Sequence, residues 1–186
     1  MRRVGFVAVL AALVWGAGLL LRAEPPQAVG SWASIGASPE NRVGAAAVAL
    51  PDGRTIIAGG LADGTPTAAV VLFDPTDGSV TSVGQLREPR AGHTATLLAD
   101  GRVLVAGGTV NGILSGDLEV FDLSTSASTL VATMTQLRSG HTAARLGDGT
   151  VLIAGGTGTD GVLTSAEIFD PATGGVALTQ SPLLNG

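Results

Sequence analysis

Apolar positions follow two patterns along this chain. From Val4 to Leu21, 18 residues pass without a charge. Beyond them the apolar residues come in runs too short for a helix, divided by Gly, Pro and Asp. Between His93 and Asp122 the reading is explicit. His93 to Leu98 is a run of small and aliphatic residues, and Asp100-Gly101 marks a turn. Arg102-Val103-Leu104-Val105-Ala106 is β-branched and ends at Gly107-Gly108, where glycine lets the backbone leave a strand. The segment Thr109 to Asp117 reads as a loop of about nine residues, and Leu118-Glu119-Val120-Phe121-Asp122 as a third strand. Asp100-Gly101 is expected to form a two-residue hairpin turn with positive φ at both positions. No window after the first 25 residues sustains helical periodicity, so an all-β chain is expected.

The pattern recurs every 48 residues. The diglycines Gly59-Gly60, Gly107-Gly108 and Gly155-Gly156 keep that spacing, as do Asp52-Gly53, Asp100-Gly101 and Asp148-Gly149. So do Phe73-Asp74, Phe121-Asp122 and Phe169-Asp170, and the Arg-x-Gly pairs Arg42/Gly44, Arg90/Gly92 and Arg138/Gly140. Four markers in phase through three copies, without insertion or deletion, establish an internal repeat. Asp74-Pro75-Thr76-Asp77-Gly78 and Asp170-Pro171-Ala172-Thr173-Gly174 are expected to be type I turns leading to a weaker fourth strand near Val80 and Val176. Four short antiparallel strands at a period near 50 residues describe a propeller blade, which buries its two faces by stacking on its neighbours.

These residues carry a family resemblance. Arg90-Ala91-Gly92-His93-Thr94-Ala95-Thr96-Leu97-Leu98, Asp100 to Gly108 and Ala166-Glu167-Ile168-Phe169-Asp170-Pro171 resemble kelch repeats. The nearest type is the exported bacterial one, similar to the central domain of galactose oxidase. The resemblance covers residues 30 to about 180. It implies a kelch-type β-propeller in which the first strand of each blade is innermost and the diglycine ends the second. Three four-stranded antiparallel blades are expected, at about 42–84, 90–134 and 138–180, after an isolated N-terminal fourth strand at about 30–36. The family's fourth-strand aromatic is met once, by Trp32; Val80, Ser128 and Val176 stand at the in-phase positions.

Three blades make an incomplete ring, since propellers close with four to eight. Adding 48 to Arg138 leads to position 186, where glycine stands. The expectation is a piece of a longer propeller, and its rival is ring completion by two or more copies, self-associating through open blade faces.

Charge and composition narrow the function. Met1-Arg2-Arg3, the uncharged run and Arg22-Ala23-Glu24-Pro25-Pro26 have the order of an export signal, residues 1–23, with cleavage expected after Ala23. The alternative is an uncleaved signal-anchor, as 18 helical residues span about 27 Å, just short of a bilayer core. Export (secretion, the periplasm or the cell surface) is therefore expected, with membrane contact only through that segment. Removing residues 1–23 leaves 7 arginines against 15 acidic residues, a net charge of −8 that argues against nucleic acid as a partner. Cys, Tyr and Lys are absent, which excludes disulfides, thiol nucleophiles, Cys-ligated zinc and Schiff-base lysines.

The remaining chemistry reads as repeat structure. His93 and His141, the only histidines, lie 48 apart where the first copy has Ala45. They are expected to hydrogen-bond backbone near the inner strand rather than to bind metal. Arg42, Arg90 and Arg138 with Glu119 and Glu167 are expected to form bidentate ties within or between blades, incomplete in the first copy, where Val71 replaces the glutamate. The turn aspartates lack the spacing of a calcium loop. The post-diglycine loops, where the family often binds ligands, are Leu61 to Ala69, Thr109 to Asp117 and Thr157 to Ala166. No catalytic, cofactor or metal residue is assigned. The expected function is a non-enzymatic exported scaffold or interaction module for an unidentified protein or extracellular ligand. The alternative is a fragment of a secreted copper oxidase resembling galactose oxidase, or of another carbohydrate-active enzyme, with its catalytic residues outside this chain.

Overall fold

The computed structural model describes residues 42–179, and all regular structure within them is β. The expected export segment and the expected leading strand around Trp32 lie outside the described residues. No helix among the described residues is long and apolar enough to cross a membrane.

Each 48-residue repeat forms one four-stranded antiparallel sheet in which successive strands are neighbours. The first sheet contains Ala46–Ala49, Thr55–Ala58, Ala69–Phe73 and Val80–Gln85. The second contains Thr94–Leu97, Val103–Ala106, Asp117–Asp122 and Ala127–Thr133. The third contains Thr142–Arg145, Val151–Ala154, Ala166–Asp170 and Gly175–Leu178. Register is conserved between them: Ile56, Leu104 and Leu152 face Leu72, Val120 and Ile168 respectively.

Side-chain alternation along the second strands places two cores. Val103, Val105 and Phe121 pack with Ile56, Ala58, Val70, Leu72 and Leu86 between the first and second sheets. Leu104, Ala106, Leu118 and Val120 pack with Val151, Ile153 and Phe169 between the second and third. The middle sheet is thus buried on both faces, and Val103 to Ala106 reads as a continuous apolar run because both sides of that strand are interior.

The structure corrects three details of the turns. Asp52-Gly53, Asp100-Gly101 and Asp148-Gly149 do not form two-residue loops with positive φ at both positions. Only the glycines do, at 90, 87 and 92°. The turn begins two residues earlier, where Gly53 donates to the Leu50 carbonyl at 3.0 Å, and the aspartate accepts the N–H two residues ahead, as Asp52 does from Arg54 at 3.0 Å. A type I turn followed by glycine at positive φ fits these bonds. At the Asp-Pro turns the Asp74 and Asp170 carbonyls accept from Gly78 and Gly174, four residues on, so the loop is one residue wider than the expected type I turn.

The third correction concerns the post-diglycine segments. Thr109–Val110 pairs with Ile113–Leu114 around Asn111-Gly112, and Leu61–Ala62 with Thr65–Pro66 around Asp63-Gly64. Both residues of each turn take positive φ, the primed-turn geometry that these dipeptides favour. Arg90–Ala91 and Arg42–Val43 add a third strand to each hairpin. These are small sheets, not nine-residue loops.

Candidate functional site

The buried arginines sit where one repeat hands over to the next. Arg90 and Arg138 are fully buried, as are Glu119 and Glu167 on the third strands of their own repeats. One guanidinium nitrogen of Arg90 meets Oε1 of Glu119, and the other donates to the Gly107 carbonyl at 3.1 Å. Glu119 Oε2 accepts from the Arg87 backbone at 2.9 Å and the Ser128 hydroxyl at 2.6 Å. In the next repeat Arg138 donates to Glu167 at 2.9 Å, and Glu167 also accepts from the backbone of Thr135 and Gln136 at 2.7 and 3.1 Å.

The ties lie within a repeat, as one reading had it, but they are not bidentate. Backbone N–H groups of the incoming connector take the carboxylate positions that a second guanidinium bond would use. In the first repeat Arg42 donates to the carbonyls of Ala69 and Gly59, at 2.8 and 3.4 Å.

That clasp fixes the connector so that its carbonyl reaches the preceding sheet. Gly60 donates to the Arg90 carbonyl and Gly108 to the Arg138 carbonyl, both at 2.8 Å. The histidines complete the same seam. His141 Nε2 is hydrogen-bonded to Thr94 Oγ1, a side chain of the preceding repeat, at 3.0 Å, rather than to backbone. A methyl on Gly59 would lie 2.7 Å from His93 Cε1, and one on Gly107 3.0 Å from His141 Cε1. Each imidazole therefore caps the first glycine of the preceding diglycine, which explains why both residues keep repeat phase.

Burial, seconded by the neighbouring arginine charge, lowers both histidine pKa values from 6.5 to about 4. The sign follows directly. Between pH 6.5 and 4 the unfolded chain binds protons that the fold refuses, so the contribution is complete above pH 6.5 and is lost as pH falls toward 4. Stability is expected to drop by about 2 kcal/mol at pH 5 for His93 alone. Urea unfolding of the parent and His93→Leu at pH 7.5 and pH 5 checks this; an equal pH dependence in both would refute it.

Other polar groups serve turns. The carboxyls of Asp52, Asp100 and Asp148 are held below the usual range first by side-chain hydrogen bonds from Arg54, Arg102 and Thr150. No three His, Asp or Glu side chains converge on a common point among the described residues. Phe121 and Phe169 are core residues, and Phe73 is half-buried in the first sheet.

One accessible concave surface among the described residues lies on the hairpin side. A cleft of about 370 Å³ opens beside the Asn111-Gly112 hairpin, lined by Glu88, Ile113, Leu114, Asp117 and Leu137 among others. Ile113 is 72% exposed and Leu137 39%, so the cleft offers apolar contact under two carboxylates. Ile113 lies in the post-diglycine segment Thr109 to Asp117, where the family resemblance places ligand binding, whereas Glu88 and Leu137 did not stand out in the sequence. The available signal was Ile113, an aliphatic residue beside a hairpin turn where the other repeats carry Thr65 and Gly161. At the other end of the second sheet, a cleft of about 460 Å³ is lined by Asp100, Arg102, Asp122 and Ser124 among others, residues of the two turns.

Comparison with known proteins shows the fold. No family model matches the chain, and no curated protein matches it. The chain is similar in structure to YjhT, a kelch-type propeller protein, with a TM-score of 0.66 at 16% sequence identity. The match covers 78% of this chain and 54% of that one, so the chain spans about half the length of this relative. The all-β fold described here is propeller-like.

Proposed function

We propose that this chain is an exported kelch-type propeller module that binds a partner and performs no reaction of its own. The observation that carries the reading is the hairpin-side cleft, where exposed Ile113 and Leu137 stand beside Glu88 and Asp117. An apolar floor with two carboxylates matches a partner that presents a basic residue next to an aliphatic or aromatic one. The division of labour among the charges supports it. Arg90, Arg138, Glu119 and Glu167 are spent on the seams between repeats, and the turn aspartates on turns.

Export rests on the charge and hydropathy order of residues 1–23, and kelch membership on the 48-residue markers together with the structural likeness to YjhT. A photo-crosslinking amino acid placed at Ile113 or Leu137 in the producing cell is expected to yield one discrete adduct, absent when the probe stands at Ser124 or Asp148. Adducts of equal yield from both ends of the sheets would defeat the cleft reading. Copper-dependent oxidase or glycosidase turnover by the purified chain would defeat the non-enzymatic one.

A further inference from the structure

The two seams inside this molecule are built alike and have a direction. Gly92 donates its N–H to the Gly44 carbonyl at 2.9 Å, and Gly140 donates to the Gly92 carbonyl at 2.8 Å. A Cβ on Gly44 would lie 3.6 Å from the Ala91 Cβ, and one on Gly92 3.8 Å from the Ser139 Cβ. On Gly140, at the same phase, it would meet nothing within 4 Å among the described residues. The diglycines behave in parallel. A methyl on Gly59 or Gly107 would fall 2.6 Å from the next connector's carbonyl, whereas on Gly155 the nearest described atom is 3.8 Å away.

Side chains report the same break. Leu98 is 2% exposed and its counterpart Leu146 37%. Leu104 and Val120 are buried, but Leu152 and Ile168 are only half-buried. On the first sheet the opposite face is the less covered one among the described residues. Val103, Val105 and Phe121 are buried, while Thr55, Ile57 and Phe73 are half-buried, and Val43 is 70% exposed where Ala91 is 9%. The third sheet thus presents the surface that the first two sheets offer forward, and the first sheet presents the surface that the last two offer backward.

We propose that a second copy of this chain occupies both faces, the third sheet of each copy receiving the first sheet of the other. Two copies then close into one ring of six four-stranded sheets. The geometry is head-to-tail, and such contacts give rings when the rotation closes. Six lies within the four to eight sheets that propellers use. The three repeats match 54% of the YjhT chain, so two copies supply about the sheet content of one whole propeller-like chain. Ala45 stands where His93 and His141 cap the internal diglycines, so the seam between copies lacks an imidazole and is the weaker, concentration-dependent one.

The absence of cysteine makes the test clean. Val43 and Gly140 hold the phase of the Ala91–Gly44 and Ser139–Gly92 pairs, whose Cβ separations of 3.6 and 3.8 Å suit a disulfide. They belong to the first and third repeats, on opposite outer faces. Under mild oxidation the full chain carrying Val43→Cys and Gly140→Cys is expected to give a reducible species of twice the chain mass and nothing larger. The two single variants crosslink only when mixed.

Gly92→Cys with Ser139→Cys carries the same positive-φ strain at its glycine and serves as the internal control. If the control closes and the outer pair does not, the proposal fails; a ladder of larger species overturns ring closure. Light scattering on the unsubstituted chain decides independently of any substitution. A mass of two chains that falls to one on dilution is expected. A mass of one chain at every concentration overturns the proposal and leaves both faces to further repeats of a longer polypeptide.

Discussion

Arg138→Ala is expected to cost about 3–5 kcal/mol of unfolding free energy, the loss typical of a buried ion pair stripped of one partner. Arg138 and Glu167 have no measurable side-chain exposure, so the stranded carboxylate has no water to turn to. Its remaining partners are the N–H groups of Thr135 and Gln136, which do not neutralise a charge. The same substitution frees the carbonyls of Gly155 and Ser165, which Arg138 satisfies at 3.0 and 3.2 Å.

Replacing both members, Arg138→Met with Glu167→Leu, separates the charge from the architecture. A simple buried pair tolerates such an exchange at little cost. Here the two connector N–H groups lose their acceptor, so the double variant is expected to remain about 1–3 kcal/mol below the parent. Urea unfolding followed by circular dichroism measures all three proteins. A double variant as stable as the parent would show that the carboxylate does not hold the connector.

Gly107→Ala is expected to be about twice as damaging as Gly155→Ala, although the two glycines share sequence motif and φ, +59 and +66°. Holding alanine in the left-handed region costs about 1–2 kcal/mol at either position. At Gly107 the new methyl also lies 2.6 Å from the Arg138 carbonyl and 3.0 Å from His141 and Met134. Carbonyl and ring are both buried and braced by the clasp, so overpacking adds about 1–3 kcal/mol. The nearest described atom at Gly155 is 3.8 Å away, ordinary contact.

Denaturant midpoints taken at a concentration low enough to keep copies apart should show the gap. Equal losses would mean that φ alone, and not the neighbouring repeat, demands glycine at Gly107. On the proposal that two copies close a ring, Gly155→Ala is also expected to suppress association at higher concentration, because its methyl would point into the proposed seam.

Much of the architecture was legible because it is local. The 48-residue register, the positions of the second and third strands, the diglycines and the in-phase Phe73, Phe121 and Phe169 follow from apolar runs and turn chemistry. The Asp-Gly turns went wrong for a local reason as well. Asp52 uses its carboxylate on the N–H of Arg54, and with that bond made only the glycine needs positive φ. Asn111-Gly112 and Asp63-Gly64, standard hairpin dipeptides, lie inside segments whose sequence reads as loops, since strands of two residues leave no apolar run. The cleft was legible in part, since the post-diglycine segment Thr109 to Asp117 supplies most of its lining. Glu88, Ile113 and Leu137 are separated in sequence and meet only because the hairpin folds over the connectors.

By itself the sequence determined the repeat, its strand order, the glycines that turn the chain and the chain's net negative charge. Those depend on each residue's own sterics and on neighbours a few positions away. Tertiary structure decided which face of each sheet is covered, the burial that lowers the His93 and His141 pKa values, and why Gly107 is crowded where Gly155 is open. Burial depends on what stands opposite a residue, and residues at one phase of the three repeats differ in it through their place in the stack.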